Sequence, residues 1–306
     1  MAALTTPGPS LAGDPRRRRK EHAIALGFRA VAILSILISI GIVASLVGGA
    51  VRFVGSIGLS ELIASGWSPR RSLFDVRTIV VASLLVTGIA MLVAVPLGLG
   101  AAIYLSEYAD RRVRKVVKPI LEILAGIPSV VLGFFALTWI NPNIVRTFVP
   151  SAGQFNMIAA GIGVGILTLP LMASITEDAL SAVPDSLREA SFGLGARRRL
   201  TTLRVVLPAA ISGIVAAAII TASRAIGETM VVTIAAGATP DLTLDPRSSS
   251  PTMTAAIANL ATGTDQVAGA SNAFDSLYFV GMLLFVATLG LNVLGDRIVR
   301  KYRKEY

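Results

Sequence analysis

Six stretches of the chain, each 19 to 30 residues long, contain no charged side chain. A helix needs about 20 apolar residues to cross the ~30 Å hydrocarbon core of a bilayer, so each stretch is long enough for one crossing. Apolar and polar residues do not alternate with the period of two that membrane barrel strands require. The sequence therefore predicts an all-α, polytopic membrane protein with six transmembrane helices.

The charges that bound these stretches define the expected spans. We place them at about residues 30–51, 78–105, 119–140, 156–176, 205–237 and 277–295. The spans and loops form a transmembrane domain over residues 29–306, in which residues 177–204 are a long loop. Residues 1–28 contain three prolines and the basic run Arg16–Lys20, and they predict a disordered cytosolic tail. The first uncharged run exceeds the 7–15 residues of a cleaved signal peptide, which favours a retained helix.

The composition excludes several classes of protein. Only 15% of the residues are charged, against about 25% in soluble domains. Cysteine is absent and His22 is the only histidine, which rules out disulfides, thiolate or histidine zinc sites and Ser-His-Asp catalysis. The sequence has no Gly-Lys pair, which every ATP-binding P-loop requires. We therefore expect no catalytic residue, no metal site and no enzyme activity in this chain.

The distribution of basic residues predicts the orientation in the membrane. The N-terminal tail, residues 106–118, residues 177–204 and the C-terminal tail share one side and hold 21 Lys and Arg, whereas the other side holds six. The positive-inside rule places the richer side, and with it both termini, in the cytoplasm. The net charge of +10 reflects this bias, and we expect no nucleic-acid binding, which needs a soluble basic face.

The loop between the fourth and fifth spans predicts a short helix. Residues 183–208 read VPDSLREASFGLGARRRLTTLRVVLP, and Pro184 with Asp185 or Ser186 is typical of a helix start. Leu187 and Ala190 then fall on one helical face, which suits docking into a groove on another protein. An amphipathic loop helix that lies on the membrane is the alternative.

The spacing of this loop resembles a known motif. It runs Glu189-Ala190-Ser191, three residues, Gly195, nine residues, Val205, one residue and Leu207-Pro208. This is similar to the EAA loop of ABC-importer permeases, EAA-x3-G-x9-I-x-LP, with Ser191 and Val205 as conservative departures. In that family the loop forms a coupling helix that sits in a cleft of a cytosolic ATPase. The resemblance implies a type I ABC-importer permease fold and assigns ATPase coupling to Glu189, Ala190, Ser191, Gly195, Leu207 and Pro208.

Three further segments resemble phosphate ABC transporter permeases of the PstC and PstA family, and several favour the PstC type. They read AAIYLSEY from Ala101, LEILAGIPSVV from Leu121 and RAIGETM from Arg224. The resemblance implies a bacterial inner-membrane subunit that moves inorganic phosphate into the cytoplasm. Its expected partners are a second permease subunit, two ATPase subunits that hold ATP and Mg, and a phosphate-binding protein. This chain would bind membrane lipid and no cofactor of its own.

Two charges lie well inside the fifth span. Arg224 and Glu228 are four residues apart, so on a continuous helix they share a face and can pair. A charge near mid-bilayer costs about 2.5 kcal/mol or more, and such groups face a bundle interior or an aqueous cavity. We assign both residues to the substrate path, with Glu228 holding Arg224, and expect a helix break at Gly227. A buried pair that only fixes helix packing is the alternative.

Other features of the spans carry weaker expectations. Pro128 bends the third span, so Ser129 can offer its hydroxyl to the path, and Thr229 is assigned to the path with its neighbours. The glycines at 161, 163 and 165 let helices approach closely. Residues 252–261 predict a short helix that lies against a partner.

Two other functions remain open from the sequence. A permease for another oxyanion, such as molybdate, sulfate or phosphonate, would carry the same EAA loop. An ATPase-independent secondary transporter would transport its substrate without partner subunits. Such transporters usually contain inverted repeats, which are not seen in the sequence.

Overall fold

The structure is a computed structural model that describes residues 15–58, 60–63, 66–262 and 271–302. The chain divides into two compact units, Met1–Gly48 and Gly49–Tyr306. The described part of the first unit is the larger portion of helix α1, Pro15–Ser56. Every side chain from residue 20 to residue 42 is exposed, including large apolar ones such as Ile24 and Leu37.

Helix α1 begins inside the segment predicted to be a disordered tail. Residues 15–28 are helical, so the expectation for residues 1–28 is corrected there, and residues 1–14 lie outside the described part. Pro15 occupies the first helical position, where its missing N–H costs nothing. Arg, Lys, Ala and Leu, which follow it, are good helix formers, so the apolar helix extends in the N-terminal direction through the basic run.

The second unit is almost entirely helical. A two-stranded antiparallel hairpin pairs β1, Trp67–Ser68, with β2, Leu73–Phe74. The remaining helices are α2 Val76–Ile103, α3 Arg111–Ala125, α4 Ser129–Phe135, α5 Arg146–Phe148, α6 Met157–Ser181, α7 Asp185–Gly193, α8 Arg198–Thr201, α9 Leu207–Ala209, α10 Ile211–Ile226, α11 Met230–Ala235, α12 Met253–Ala261 and α13 Ser271–Tyr302. Three π-helical segments join them, Tyr104–Tyr108 after α2, Ala136–Val145 after α4 and Thr202–Val206 after α8.

Membrane spans occur as continuous helices and as bent pairs. In the described part of the chain, four helices are long and apolar enough to cross a bilayer, Lys20–Ser56, Val76–Tyr108, Met157–Ser181 and Asn272–Lys301. Two further pairs pass the same test but are bent, Arg111–Ala125 with Ser129–Phe148 by 89° and Arg198–Ala209 with Ile211–Ile226 by 69°. The six predicted spans are obtained when each bent pair counts as one.

The bends correct two predicted spans. The third was expected at residues 119–140, but α3 ends at Gly126 and Pro128 forms the N-cap of α4, so the crossing helix starts at Ser129. The residue before a proline avoids the α conformation, which separates the two helices. The fifth was expected over residues 205–237 with a break at Gly227. It has a further bend at Ala210, so its crossing helix α10 starts at Ile211.

Helices α2 and α6 form the centre of the second unit and run parallel. Close contact depends on glycines, because a Cβ added at Gly161 would lie 2.6 Å from Ile89 and one at Gly98 would lie 2.7 Å from Met172. The expectation that residues 161, 163 and 165 permit close approach is confirmed. In the most apolar 18-residue stretch of α6, 61% of the residues are buried, against 6% in that of α13. Helix α6 is therefore the central helix.

The two ends of the second unit differ. The α12 end holds the hairpin, α12 and the starts of α2 and α6, packed around Phe53, Phe74 and Met253. The α7 end holds α7 and the last turns of α2 and α6, packed around Ala102, Leu180, Val183, Val206 and Ala210. The helix predicted at residues 252–261 forms as α12. One of its faces packs against this chain itself, since Met253 and Ala255 are fully buried, and its contact with a partner stays a prediction.

Candidate functional site

The loop helix predicted from residues 183–208 is present as α7. Pro184 is its N-cap, and no side chain caps its first N–H groups. The expected cap by Asp185 or Ser186 is therefore wrong, because the proline displaces both residues into the helix. The Asp185 carboxylate instead accepts a hydrogen bond from Arg188 Nη1 at 3.2 Å.

The motif residues divide into exposed and packed positions. Glu189 and Ala190 are exposed, whereas Ser191 Oγ lies 2.9 Å from Thr201 Oγ1 and holds α7 against α8. Leu207 packs against the apolar cluster of the α7 end, and Pro208 is exposed on α9. The exposed positions leave one face of α7 available for a partner.

Gly195 ends the turn after α7 in a left-handed conformation. Its φ is +80°, and its N–H donates to Phe192 O at 2.8 Å. No atom lies within 4 Å of the position that a Cβ would occupy. Glycine is therefore required here by the backbone conformation, since other residues rarely adopt a positive φ.

Large apolar side chains surround α7 on its solvent side. Phe192 is 46% exposed and Leu194 is 90% exposed, and Leu200 and Leu203 are exposed nearby. Apolar surface of this kind on a polar loop marks an interaction site. The arrangement matches the docking role that the sequence predicts for α7.

Arg188 was not singled out from the sequence, yet it makes the most polar contacts on α7. Its Nη2 donates to Glu107 Oε1 at 2.9 Å and to Leu180 O at 2.8 Å, and its Nη1 donates to Val183 O at 2.6 Å. The Arg188 side chain is 15% exposed and that of Glu107 is 7% exposed. Glu107 is 81 residues away in sequence, so only the fold brings the two together.

A second ion cluster lies beside this pair. Glu177, near the end of α6, is buried and lies 3.4 Å from Lys118 Nζ and 3.8 Å from Arg114 Nε. Arg114 also donates to the carbonyls of Leu105 and Ser106. A cavity of about 520 Å³ separates α7 from these elements, and Arg114, Arg188 and Arg198 are among its lining residues. The α7 end thus combines the apolar cluster with charged side chains that surround an open space.

The predicted pair of Arg224 and Glu228 is not formed. Helix α10 ends at Ile226 with Gly227 as its C-cap, which confirms the expected break at Gly227. Beyond the break, Glu228 Oε1 accepts from the backbone N–H of Met230 at 3.2 Å and of Val231 at 3.4 Å. Because the helix does not continue, the i,i+4 relation fails, and Glu228 caps α11.

Arg224 lies level with the middle of α6 and lines a cavity. Thr221, one turn earlier, lies 3.7 Å from Met172 Sδ, and Met172 is nine residues, roughly 14 Å, from the end of α6. Arg224 lines a cavity of about 240 Å³ with Lys118, Glu122 and Glu177. In the part of the chain that the structure describes, the Arg224 guanidinium makes no hydrogen bond or ion pair.

The other predicted path residues do not line this cavity. Ser129 is the first residue of α4, directly after the expected bend at Pro128, but it is not among the residues that line this cavity. Thr229 is the N-cap of α11, and its Oγ1 donates to Gly227 O at 3.3 Å. Thr229 and Glu228 therefore hold the break between α10 and α11, while Arg224 alone of the four faces the cavity.

The α12 end is joined by neutral groups and by the buried Asp75, which caps α2 and accepts hydrogen bonds from Arg77 Nε and Thr78 Oγ1. Asn156 caps α6 by accepting from Ala159 N at 2.8 Å, and its amide donates to Asn141 Oδ1 at 2.8 Å. Ser83 Oγ accepts from Met253 N at 2.9 Å, and Thr254 Oγ1 donates to Glu228 O at 2.6 Å. The start of α12 is thereby fixed to α2 and to the break after α10.

An exposed charged pair, Arg247 with Asp245, lies on a loop at this end, in addition to the pairs Arg77–Asp75 and Arg52–Asp275. Arg247 donates to both carboxylate oxygens of Asp245 at 2.8 Å, and its Nη1 donates to Ser151 Oγ at 3.2 Å. The hydrogen bonds from Arg247 lower the pKa of the Asp245 carboxyl below its ordinary value. The same hydrogen bonds raise the pKa of Arg247.

Comparison with known proteins identifies relatives over most of the chain. Residues 94–304 match the family described as binding-protein-dependent transport system inner membrane component. The chain is 33% identical over 278 residues to the phosphate transport system permease protein PstC of Mesorhizobium japonicum, covering 85% of this chain and 84% of that protein. It is 34% identical over 265 residues to the probable ABC transporter permease protein YqgH of Bacillus subtilis, covering 82% and 84%.

Solved structures share the fold at lower identity. A chain of a bacterial ABC transporter involved in the import of the acidic polysaccharide alginate gives a TM-score of 0.65 at 16% identity, covering 94% of this chain and 100% of that chain. A chain of the MetNI methionine ABC transporter in an inward-facing conformation gives 0.55 at 22% identity, covering 73% and 94%.

Proposed function

This chain belongs to the family of binding-protein-dependent transport system inner membrane components, and we propose that it is the subunit that carries inorganic phosphate across the membrane. It is a multi-pass ABC-importer permease with the type I fold. Its likeness to proteins named phosphate transport system permease protein PstC supports phosphate as the substrate. Family membership argues against the ATPase-independent secondary transporter considered from the sequence.

The observation that carries the proposal is the guanidinium of Arg224, which has no partner among the described residues and lines a cavity between α3, α6 and α10. A planar guanidinium can donate to two oxygens of a phosphate at once. Because Glu228 is engaged with the α11 backbone, Arg224 keeps its full charge for an anion. This favours a substrate-path role for Arg224 over a packing pair.

The charges around Arg224 favour weak binding and release of an anion over tight binding. Glu177 is paired with Lys118 and Arg114, which leaves Arg224 and Glu122 as the unpaired charges of the cavity in the described part of the chain. An entering anion competes with Glu122 for Arg224. Binding at a path site must be weak enough for release, and a nearby carboxylate weakens it.

The proposed orientation and assembly follow from α7. We place the α7 end and both termini in the cytoplasm of a bacterial inner membrane, in accord with the distribution of basic residues. There α7 docks on one of two ATPase subunits, which hold the ATP and Mg. A second permease subunit and a phosphate-binding protein complete the importer, and this chain binds no cofactor.

The proposal is tested by uptake of radiolabelled phosphate into cells that express this chain with its partner subunits. Arg224→Ala should abolish uptake, and Arg224→Lys should retain part of it because the charge stays. Arg146→Ala is the control, since Arg146 is exposed and has no ion pair among the described residues. Amounts of each variant in the membrane are measured alongside. Unchanged uptake with Arg224→Ala contradicts the assignment.

Competition with unlabelled molybdate, sulfate or phosphonate in the same cells identifies the substrate. Phosphate should displace the label and the others should not. If another oxyanion competes more strongly than phosphate, that oxyanion is the substrate and the phosphate assignment is wrong. The role of Arg224 is then tested by uptake of that anion.

A further inference from the structure

We infer that Arg188 is a positioning residue that transmits movement of α7 to the helices α2 and α6, acting through Glu107. The inference rests on the proposed docking of an ATPase subunit on α7. It adds a specific connection between that docking helix and the membrane spans, and it concerns a residue outside the coupling motif.

The geometry joins three elements at one side chain. One guanidinium nitrogen of Arg188 donates to Glu107, at the end of α2, and to Leu180 O, in the last turn of α6. The other donates to Val183 O, just beyond α6, and to Asp185 on α7 itself. A displacement of α7 must therefore either pull on α2 and α6 together or break these bonds.

The chemistry of the contact favours transmission of the movement of α7 over breakage of the Arg188 hydrogen bonds. Both charged groups are largely shielded from water, at 15% and 7% exposure, so their attraction is screened less than that of a surface pair. Charge-assisted hydrogen bonds are about twice as strong as neutral ones. The carbonyls of Leu180 and Val183 lie at the C-terminal end of α6, where a cation is favourable.

The apolar contacts of α7 alone would permit sliding. Leu187 is its one apolar side chain that packs on the cluster of the α7 end, and Phe192 and Leu194 are exposed. The 520 Å³ cavity beside α7 leaves room for movement. Glu107 lies in the π-helical segment after α2, a geometry frequent at functional sites. Arg188 is thus the principal polar tie between α7 and the spans.

The movement reaches the proposed substrate path along α6. Helix α6 carries Leu180 at the Arg188 contact and Glu177 at the cavity that Arg224 lines. These two residues are three apart, so they lie within one helical turn. A pull on the end of α6 therefore displaces a wall of that cavity.

The test compares transport with ATP hydrolysis in the complete importer, reconstituted in lipid vesicles with its ATPase, second permease and binding-protein partners. In Arg188→Gln and in Glu107→Gln, ATP hydrolysis should stay within about twofold, while phosphate moved per ATP should fall about tenfold, the loss expected for one charged hydrogen bond. Arg199→Gln is the matched control, since it removes a charge from the same loop at an exposed residue. The control should keep the ratio.

A double variant and a conservative variant separate coupling from folding. If Arg188 acts through Glu107, the double variant Arg188→Gln/Glu107→Gln should be no worse than Arg188→Gln alone. Arg188→Lys keeps the charge but not the planar fork, so it should restore part of the ratio. Additive losses in the double variant would overturn the inference. So would a fall in transport and in ATP hydrolysis that matches a fall in the yield of complex.

A distance measurement gives an answer that does not depend on the transported anion. The chain has no cysteine, so Ser186→Cys on α7 and Val116→Cys on α3 can be spin-labelled without background. The distance distribution between the labels should broaden with Arg188→Gln and remain narrow with Arg199→Gln. Absence of phosphate transport by the unmodified importer would refute the proposed substrate, whereas an unchanged distribution with Arg188→Gln would refute the role of Arg188.

Discussion

At the α12 end, loops and helix starts are joined mainly by short side chains, namely amides, hydroxyls and the buried Asp75 carboxylate, whereas at the α7 end long charged side chains join them beside an apolar cluster. Asn156 and Ser83 each reach one or two fixed backbone partners over 2.8 to 2.9 Å. Arg188 and Arg114 instead reach several carbonyls and carboxylates from different elements. Short neutral groups fix a single geometry, while long charged side chains can exchange partners as elements move.

The difference indicates which end of the second unit can move without losing its contacts. At the α12 end the buried side chains Asn156, Ser83 and Asp75 have their hydrogen-bond partners, although Ser250 Oγ has none, and an unpaired buried group costs about 1–3 kcal/mol. The α7 end has charges that are partly hydrated and a cavity of about 520 Å³ among them. We expect the α12 end to be rigid and insensitive to salt, and the α7 end to respond to salt and to a docked partner.

The largest stability effect is expected from Asn156→Ala at the α12 end. The change removes the cap of α6 and leaves Asn141 Oδ1 without its donor, and Asn156 is fully buried. The free energy of unfolding should fall by about 2–4 kcal/mol, combining a lost cap with an unpaired buried group. Thermal unfolding of the detergent-solubilised protein measures this, and the loss should not change with salt.

Asn143→Ala is the control for this change. Asn143 is exposed, and its amide donates only to Trp139 O of its own helical segment at 2.9 Å. Its stability should change by less than about 0.5 kcal/mol. Equal effects of the two variants would contradict the distinction between the ends.

A smaller effect is expected from Lys118→Gln at the α7 end. Lys118 is 43% exposed, and Glu177 keeps Arg114 as a second partner at 3.8 Å. The loss should be about 0–1 kcal/mol and should shrink as salt is raised. Thermal unfolding at low and high salt measures it, with Lys115→Gln as the control because Lys115 is exposed and unpaired among the described residues. A loss that persists at high salt would contradict this view of the α7 end.

The smallest effect is expected at the exposed charged pair of the α12 end. Because hydrogen bonds from Arg247 lower the pKa of Asp245, the pair stabilises the loop above the ordinary pKa of an aspartate. That contribution is lost only as the pH falls through the lowered pKa. Between pH 8 and pH 5 no change in stability should be seen.

Carboxyl-carbon NMR of Asp245 checks this prediction. Arg247→Gln should move the titration of Asp245 upward toward the ordinary range, and Arg70→Gln should leave it in place. A titration midpoint for Asp245 that is the same with and without Arg247 would show that the pair does not form.

The number of spans and the position of α7 could be predicted from the sequence, since both depend on local patterns. Uncharged length identifies a crossing, and Pro184 with the spacing to Gly195 identifies a short helix and its turn. The positions of the bends in the spans could be predicted only in part. The break at Gly227 was expected, but the bend at Ala210 follows no glycine or proline at that position.

Side-chain partners over long sequence separations could not be predicted. Arg224 and Glu228 share a face only on an unbroken helix, and the break that was itself expected removes the relation. Glu107 and Arg188 lie 81 residues apart, and no local pattern in one sequence links them. The cavity that brings Arg224 near Lys118, Glu122 and Glu177 likewise depends on how α3, α6 and α10 pack.

The open surroundings of Gly195 have a consequence for how the turn after α7 can vary. With no atom near the missing Cβ, bulk is no obstacle, and the restriction comes from the chirality of L-amino acids at a φ of +80°. Asparagine tolerates such dihedrals far better than a β-branched residue does. The position therefore selects for the handedness of the backbone rather than against the volume of a Cβ.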